Sequence, residues 1–185
     1  MTGVKGRVAL VTGAGSAGAI GFATATLLRA AGAKVAITST TDRIFERLEE
    51  LGGRAGESFA KTADLTDTAM VASLVNDVEA ALGPINIVVN NAGQAQLGID
   101  APFLPLHQMS DENWRYGMEI NLTTAFLVTR AVLPGMMART YGRIVHISSV
   151  TGPVVGIDKA TVYGAAKAGM VGMARSLAIE AGPFG

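Results

Sequence analysis

Short apolar runs alternate with longer amphipathic segments along the whole chain. An apolar run bounded by turn residues is typical of a strand buried on both faces, whereas apolar positions recurring every three or four residues are typical of a helix. We predict strands within residues 7–13, 34–40, 57–65, 84–93 and 143–149. Helices are predicted within residues 20–32, 42–53, 67–83 and 161–180, with a further long helix capped by Ser110.

This alternation of strands and helices indicates an α/β fold, a doubly wound parallel sheet (Rossmann fold) with helices on both faces. Ligands of such sheets bind beyond the carboxyl ends of the strands. The sequence shows no internal repeat or interdomain linker, so residues 1–185 are expected to form a single domain. The pattern also calls for a sixth strand after the last helix. We therefore expect a domain truncated after the fifth strand and its following helix, with the C-terminal part missing.

The composition excludes several classes of function. Hydrophobic residues make up 49% of the chain and charged residues 16%, which favours a well-buried globular protein. Fifteen basic and fifteen acidic residues cancel, so neither a nucleic acid nor an anionic membrane surface is expected as a partner. The chain has no cysteine and only two isolated histidines, so no metal site is expected.

The N-terminal segment lacks the features of a signal peptide, which favours a cytoplasmic protein. Residues 8–28 carry no charge and are long enough to span a bilayer. Four glycines cluster in the middle of this stretch, however, so a strand, a tight turn and a helix explain it better. The longest irregular stretch, residues 94–109, follows the fourth strand and is expected at the ligand-binding edge of the sheet.

The glycine-rich stretch TGAGSAGAIG, residues 12–21, fits two motifs at once. Gly13, Gly15 and Gly18 match the general dinucleotide fingerprint G-x-G-x-x-G. Alternatively, Thr12, Gly13 and Gly21 indicate a T-G-x-x-x-G-x-G turn that is longer by two residues. In either case glycines between a strand and a helix allow the backbone to approach a pyrophosphate closely. A tight turn that binds no ligand is the simpler alternative.

The region after the second strand bears on the choice of cofactor. The general fingerprint places an acidic residue about twenty positions on, where it binds the adenosine ribose. Here hydroxyl side chains occupy that region, Ser39 and Thr40 among them, and Asp42 comes only later. Hydroxyls without a carboxylate tolerate a 2′-phosphate, and Arg43 is close enough in sequence to pair with one. NADP(H) is therefore favoured over NAD(H).

Tyr163 and Lys167 are candidate catalytic residues. They are four residues apart in a predicted helix, so their side chains share one face about 6 Å apart. A neighbouring ammonium stabilises the phenolate form of tyrosine, which suits acid–base chemistry. Such a pair is common by chance, and its position just after the fifth strand supports the catalytic interpretation. Ser148 and Ser149 end that strand, where either hydroxyl can bind a substrate carbonyl or simply cap the turn.

Three further polar positions are worth noting. In the run NNAG, residues 90–93, the asparagines can hold a loop in place and Gly93 lets a cofactor come close. Asn121 falls inside the long predicted helix, where it can bind a water, hold backbone or be an ordinary buried amide. His146 alternates with apolar neighbours and is expected to be a satisfied core residue rather than a base.

Together these residues resemble the short-chain dehydrogenase/reductase family, and they are most similar to its 3-oxoacyl-carrier-protein-reductase-like branch. The matches are the glycine loop, Asp64 in ADL, the NNAG run, Asn121 in INL, the serine pair and YGAAKAG from Tyr163 onward. They occur in the family's order and extend over essentially all 185 residues. Each match alone is weak, whereas the ordered set is specific.

The resemblance implies an NAD(P)-binding domain of an oxidoreductase that transfers a hydride between NADP(H) and a ketone or secondary alcohol, with 3-oxoacyl thioesters among the candidates. It implies that Tyr163 is the general acid and base, and that Lys167 assists it and binds the nicotinamide ribose. It also implies that Ser149 steadies the substrate carbonyl and that Asn121 holds a water in a proton relay. Cofactor contacts are expected from Gly13, Gly15, Ser16, Ala19, Ile20, Gly21, Ser39, Thr40, Asp64, Leu65, Asn91, Ala92 and Gly93, with Tyr163 and Lys167.

The sequence also departs from the family pattern. Ala19 stands where the middle glycine of the loop is expected, and the segment from Ser149 to Tyr163 is one residue longer than in many relatives. The family continues into a further strand and a substrate lid that these 185 residues lack. We expect a homo-oligomer, a dimer or tetramer, acting on a small carbonyl or alcohol substrate. Two alternatives remain open: a truncated, non-catalytic nucleotide-binding or oligomerisation module, and a sugar-nucleotide epimerase.

Overall fold

The computed structural model describes residues 3–93 and 104–185, through which strands and helices alternate. The strands are β1 (Val8–Thr12), β2 (Lys34–Ser39), β3 (Ser58–Thr62), β4 (Ile85–Asn90) and β5 (Arg143–His146). The α-helices are α1 (Ile20–Ala30), α2 (Arg43–Glu50), α3 (Thr68–Leu82), α4 (Asp111–Met118), α5 (Thr124–Ala138) and α6 (Thr161–Ala181). A π-helical turn, Glu119–Thr123, joins α4 to α5, and short 3₁₀ turns occupy Leu106–Gln108 and Gly182–Phe184.

The strands form one parallel sheet in the order β3-β2-β1-β4-β5. This order confirms the predicted doubly wound sheet, in which the chain starts at the centre and winds outward in both directions. β1 is buried along its whole length because strands flank it and helices cover both faces. The winding reverses between β1 and β4, and their carboxyl ends therefore open onto the crevice where such sheets bind ligands.

Two apolar layers hold the sheet between its helices. One layer packs strand side chains against Leu74 of α3 and Val128 of α5. The other packs strand side chains against Phe22 of α1 and Ile44 of α2. Burying a side chain of this size contributes roughly 1.5–3 kcal/mol, so the two layers together fix the helices on the sheet.

The helix ends follow from local chemistry. Gly32, after α1, has φ +86°, a left-handed conformation that glycine adopts without strain. The Ser110 hydroxyl accepts a hydrogen bond from the Asn113 N–H at 3.2 Å, which confirms the predicted cap of α4. Asp67 caps α3 in the same way, accepting from the Ala69 N–H at 2.7 Å.

The fifth strand ends earlier than predicted. β5 stops at His146, so Ser148 and Ser149 lie beyond it rather than at its end. The Ile147 N–H still donates to the Asn90 carbonyl at 2.9 Å, after which the Ser148 N–H turns back to the His146 carbonyl at 3.1 Å. This turn directs the chain away from the sheet.

A π-helical turn interrupts the α-helical hydrogen-bond pattern of the long helix after Ser110, which runs from Asp111 to Ala138. Within and beside this turn, Asn121 Nδ2 donates to the Gly117 carbonyl at 3.1 Å and the Thr124 hydroxyl donates to the Ile120 carbonyl at 3.2 Å. Such side-chain bonds compete with the backbone ladder, and π-helical turns are frequent at functional sites. Of the loop 94–109, residues 94–103 lie outside the described residues.

Two apolar stretches bear on membrane insertion. Residues 8–28 fold as β1, the glycine loop and most of α1 rather than as one helix. By length and composition alone, Asp111–Ala138 is long and apolar enough to cross a membrane. Its inward side chains, Leu127 and Val128 among them, are buried against the sheet, as in the core helix of a globular domain.

Candidate active site

The structure distinguishes between the two interpretations of the glycine loop. Gly18 is open, since a Cβ there would meet nothing within 4 Å. Gly21 is tightly packed, since a Cβ there would lie 2.5 Å from Asn91 Nδ2 and 2.6 Å from the Gly13 carbonyl oxygen. The third glycine of a dinucleotide loop permits close packing of helix and strand. Gly21 is packed in the way that such a glycine requires, and Gly18 is not.

Thr12 and Asn91 join the glycine loop to the end of β4. The Thr12 hydroxyl oxygen accepts hydrogen bonds from the N–H groups of Asn91 and Ala92 at 3.0 and 2.9 Å. Asn91 Nδ2 in turn donates to the carbonyls of Thr12 and Gly13, both at 3.0 Å. Gly13 has φ +68°, and a Cβ there would lie 2.8 Å from Ala92 Cα, so only glycine fits this position.

A cleft of about 470 Å³ opens beyond the carboxyl ends of β1, β2 and β4. Its volume falls within the roughly 300–1,000 Å³ of small-molecule sites. Among the residues expected to contact the cofactor, four near the glycine loop do not line the cleft. Asn91 and Gly21 pack against the glycine loop, and Ala19 and Ile20 begin α1. The expected cofactor-contacting residues that line the cleft are Gly13, Gly15, Ser16, Ser39, Thr40, Asp64, Leu65, Ala92 and Gly93.

The start of α1 is suited to an anion. Ala19, at the N-cap, has no side chain that could cap the helix, and the first turn contains no acidic residue. The first N–H groups of a helix have no partner within it, and the helix dipole adds partial positive charge there. This donor set, beside a loop in which glycines replace side chains, fits the pyrophosphate of a dinucleotide.

Hydroxyl groups and one cation line the cleft beyond β2. The Ser39 hydroxyl donates to the Thr41 carbonyl at 2.9 Å, and Arg43 Nε donates to the Thr41 hydroxyl oxygen at 3.3 Å. A Cβ at Gly15 would lie 2.9 Å from Ser39 Cβ, so the glycine loop and the end of β2 are in contact. An arginine beside hydroxyls is a suitable partner for a phosphate group.

The remaining wall combines one expected residue with several that sequence reasoning missed. Asp64 Oδ1 accepts hydrogen bonds from the N–H and the hydroxyl of Thr66 at 2.9 and 2.7 Å, which orients the carboxylate at the cleft edge. The missed residues each lie three or four positions from another of the set along the chain, and that spacing was the available signal. They are Tyr116, Glu119, Ile120 and Thr124.

Asn121 and Lys167 meet at Gly93, which lines the cleft, whereas the catalytic candidates Asn121, Ser149, Tyr163 and Lys167 are outside its lining. A Cβ at Gly93 would lie 2.9 Å from Asn121 Oδ1 and 3.4 Å from Lys167 Nζ. Asn121 is buried, and its Nδ2 is held by the Gly117 carbonyl. The π-helical turn thus presents Asn121 to the end of β4 and to α6 at the same point.

Lys167 and Tyr163 lie on one face of α6. Lys167 is only 5% exposed, and its Nζ donates to the Ile147 carbonyl at 2.9 Å. Burial lowers the pKa of Lys167, because the charged form loses solvation. Its Nζ lies 5.8 Å from the centre of the Tyr163 ring. A buried ammonium therefore lies next to a phenol.

The two serines after β5 have different partners. The Ser148 hydroxyl donates to the Lys167 carbonyl at 2.9 Å, which ties the end of β5 to α6. The Ser149 hydroxyl oxygen accepts from the Thr151 N–H at 3.1 Å. Accepting uses a lone pair and not the hydroxyl proton, so Ser149 keeps a donor for a carbonyl oxygen.

His146 is not the satisfied core residue expected from the sequence, and that prediction is wrong. It is only partly buried, and its Nδ1 lies 3.3 Å from Asn90 Nδ2. If the Asn90 amide nitrogen donates in this contact, Nδ1 accepts and a neutral ring carries its proton on Nε2. That Nε2 is buried without a hydrogen-bond partner in the described structure. Burial and then the charge of Lys167 lower the pKa of His146.

Known sequences show which protein family this chain is similar to. The model of the short chain dehydrogenase family matches residues 7–185. The chain is 40% identical over 177 residues to oxidoreductase UcpA of Salmonella typhimurium, an alignment that covers 96% of this chain and 64% of that protein. It is 37% identical over 176 residues to 3-oxoacyl-[acyl-carrier-protein] reductase FabG of Escherichia coli, covering 95% of this chain and 68% of that one.

Solved structures agree as well. A short chain dehydrogenase from Mycobacterium smegmatis superposes with a TM-score of 0.89 at 32% identity, covering 100% of this chain and 75% of that one. A metagenomic short-chain oxidoreductase in complex with NADP superposes with a TM-score of 0.86 at 32% identity, covering 98% and 79%. With a family model that matches nearly every residue and a doubly wound sheet shared with these relatives, the chain belongs to the short-chain dehydrogenase family.

Proposed function

We propose that this chain carries the cofactor site and the catalytic side chains of an NADP(H)-dependent oxidoreductase that interconverts a ketone and a secondary alcohol. The observation that carries the proposal is the position of Lys167 and Tyr163. Lys167 Nζ lies beside both the Tyr163 ring and the position of a Cβ at Gly93, and Gly93 lines the cleft that would hold the dinucleotide.

The cofactor would be held by the start of α1 and by the glycine loop. The pyrophosphate fits the unpartnered N–H groups of α1, and Asp64 and Leu65 line the part of the cleft beside β3. Arg43, with the hydroxyls of Ser39 and Thr40, favours a 2′-phosphate and hence NADP(H) over NAD(H). When bound, the nicotinamide supplies or accepts the hydride.

The chain's own residues orient the substrate and move the proton. Ser149 donates a hydrogen bond to the substrate carbonyl oxygen, and the Tyr163 hydroxyl donates the proton that converts that oxygen to an alcohol. In oxidation Tyr163 takes the proton back. The Lys167 ammonium stabilises the phenolate formed in reduction, and Asn121, which lies beside Lys167, would hold a water that returns the proton.

The substrate class is the finer part of the proposal. The similarity to a 3-oxoacyl-[acyl-carrier-protein] reductase motivates 3-oxoacyl thioesters as first candidates. The chain spans 64% of the length of the Salmonella relative. The activity of a protein of that full length is therefore a proposal that rests on these 185 residues.

A non-catalytic nucleotide-binding or oligomerisation module is the second candidate. It would share the cofactor cleft and differ in carrying out no hydride transfer.

Following NADPH absorbance distinguishes these candidates. The 185-residue chain is mixed with NADPH and a panel of 3-oxoacyl thioesters and simple ketones. Steady NADPH oxidation supports the oxidoreductase and excludes the non-catalytic module. NADPH binding without oxidation of any substrate in the panel contradicts the oxidoreductase for this chain.

A further inference from the structure

The turn after Ser149 packs directly on the backbone of α6. Gly152 has φ +97°, a conformation that L side chains rarely adopt. A Cβ at Gly152 would overlap the carbonyl oxygen of Gly164 and would lie 2.8 Å from its carbonyl carbon. The two backbones are therefore in contact with no space for a side chain at Gly152.

This turn is held together by its own hydrogen bonds. The Thr151 N–H donates to the Ser149 hydroxyl oxygen at 3.1 Å, and the Gly152 N–H donates to the Val155 carbonyl at 2.8 Å. The Val155 N–H closes the turn by donating to the Val150 carbonyl at 3.0 Å. A displacement of Gly152 therefore also moves the hydroxyl of Ser149.

On the other side of the contact, Gly164 is the residue next to Tyr163. Its N–H donates to the Ala160 carbonyl at 2.8 Å, which fixes it in the first turn of α6. The contact thus joins the turn that carries Ser149 to the helical turn that carries Tyr163.

We propose that Gly152 is a positioning residue, whose backbone contact with Gly164 sets the separation between the Ser149 hydroxyl and the Tyr163 phenol. The inference rests on the proposed function for its catalytic consequence, while the contact can be tested without turnover. A Cβ at position 152 lifts the turn from α6, and a displacement of about 1 Å between reacting groups can cost roughly 100-fold in rate.

The contact between Gly152 and Gly164 has no room for a Cβ at Gly152 but has room for one at Gly164, and this difference provides matched variants. A Cβ at Gly164 would lie 3.5 Å from Gly152 Cα, an ordinary van der Waals distance, so Gly164→Ala is accommodated. Gly83, at the end of α3, has φ +99° and open space around it. Gly83→Ala therefore imposes similar backbone strain without a contact near Ser149.

The test compares Gly152→Ala with Gly164→Ala and Gly83→Ala in the 185-residue chain. Amide exchange at Thr151 is followed by NMR, and kcat, KM and NADPH affinity are measured on the substrate that the panel identifies. For Gly152→Ala we expect Thr151 exchange to rise and kcat to fall by about 10- to 100-fold, with NADPH affinity within about 2-fold of the parent. Gly83→Ala should retain the parent's exchange and kcat, and Gly164→Ala should retain the parent's Thr151 exchange.

Unchanged Thr151 exchange and kcat in Gly152→Ala would overturn the proposal, as would losses of the same size in Gly83→Ala. Should Gly152→Ala fail to fold, Gly152→Asn keeps the added Cβ, and asparagine tolerates positive φ better. If the parent chain oxidises no NADPH, the proposed function fails, and Thr151 exchange still decides whether Gly152 holds the turn.

Discussion

Lys167 Nζ lies 5.8 Å from the centre of the Tyr163 ring and donates a 2.9 Å hydrogen bond to the Ile147 carbonyl. This hydrogen bond ties the charged end of the lysine to the chain just beyond β5. The shared helix fixes the ammonium relative to the tyrosine, and the hydrogen bond fixes it relative to the sheet. The same tie brings the positive charge close to His146, whose pKa it helps to lower.

Thr12 should be a strong determinant of stability. Thr12→Val removes the acceptor of two backbone N–H groups, those of Asn91 and Ala92, and leaves them unpartnered in a part-buried site. We expect a loss of about 1–3 kcal/mol in the free energy of unfolding, measured by urea denaturation. Thr24→Val is the control, because its exposed hydroxyl bonds only the Ile20 carbonyl in its own helix. Equal losses in the two variants would contradict the bracing role of Thr12.

Alanine should destabilise the fold at Gly21 and leave its stability nearly unchanged at Gly18. Gly21→Ala places a methyl group against the Gly13 carbonyl, which cannot move without distorting β1, and should destabilise the fold by about 1–3 kcal/mol. That cost outweighs the helix propensity of alanine, worth about 1 kcal/mol over glycine. Gly18→Ala should remain within about 0.5 kcal/mol of the parent. Thermal unfolding checks both, and a destabilised Gly18→Ala with an unaffected Gly21→Ala would reverse the assignment.

Arg43 should discriminate between the two nicotinamide cofactors. Arg43→Gln removes the cation of the cleft beside Ser39 and Thr40, so NADPH affinity should fall about 10-fold while NADH affinity stays unchanged. Calorimetric titration with each cofactor measures the two affinities. Arg54→Gln, an exposed arginine beyond α2, is the matched control. A parallel loss for NADPH and NADH in Arg43→Gln would argue against 2′-phosphate recognition.

His146 should make the fold sensitive to acid. Burial and the Lys167 charge lower its pKa below the ordinary value of 6.5, so the folded state binds fewer protons than the unfolded state below that pH. Stability is therefore fully present above pH 6.5 and declines as the pH falls towards the lowered pKa. His146→Gln should reduce the difference in the free energy of unfolding between about pH 7.5 and about pH 5.

Titration of the His146 ring by NMR provides the control for that prediction. Lys167→Met removes the second cause of the shift and should raise the pKa of His146. The chain has only two histidines, so comparison with a His107→Gln variant assigns the signal. An unchanged His146 titration in Lys167→Met would show that the two charges are not coupled.

The fold could be predicted from the sequence because apolar runs mark strands that are buried on both faces. The positions of irregular backbone could not. Asn121 signalled a local departure by its poor fit in a helix, but its hydrogen bond to Gly117, which accompanies the π-helical turn, depends on tertiary placement. The early end of β5 depends likewise on the turn of Ser148 back to His146, which no periodicity encodes.

The candidate site was predicted in part for a related reason. Tyr163 and Lys167 are neighbours through helical spacing, so their separation follows from the sequence alone. The role of Gly21 required knowing what lies against it, since Asn91 is far away in the sequence and its amide fills the space a Cβ would need. Tyr116 and Glu119 were missed although their spacing placed them on one helical face, because only the folded chain shows that this face meets the cleft.

The measurement that tests the central claim most directly is NADPH oxidation by Tyr163→Phe, with NADPH affinity measured on the same sample. Tyr141→Phe is the control, because that ring lies against Arg7 and Arg143, outside the cofactor cleft. Tyr163→Phe should lose at least about 100-fold in kcat, since general acid catalysis typically contributes that much or more, while NADPH affinity remains close to that of the parent. Turnover by Tyr163→Phe at the rate of the parent would contradict the account.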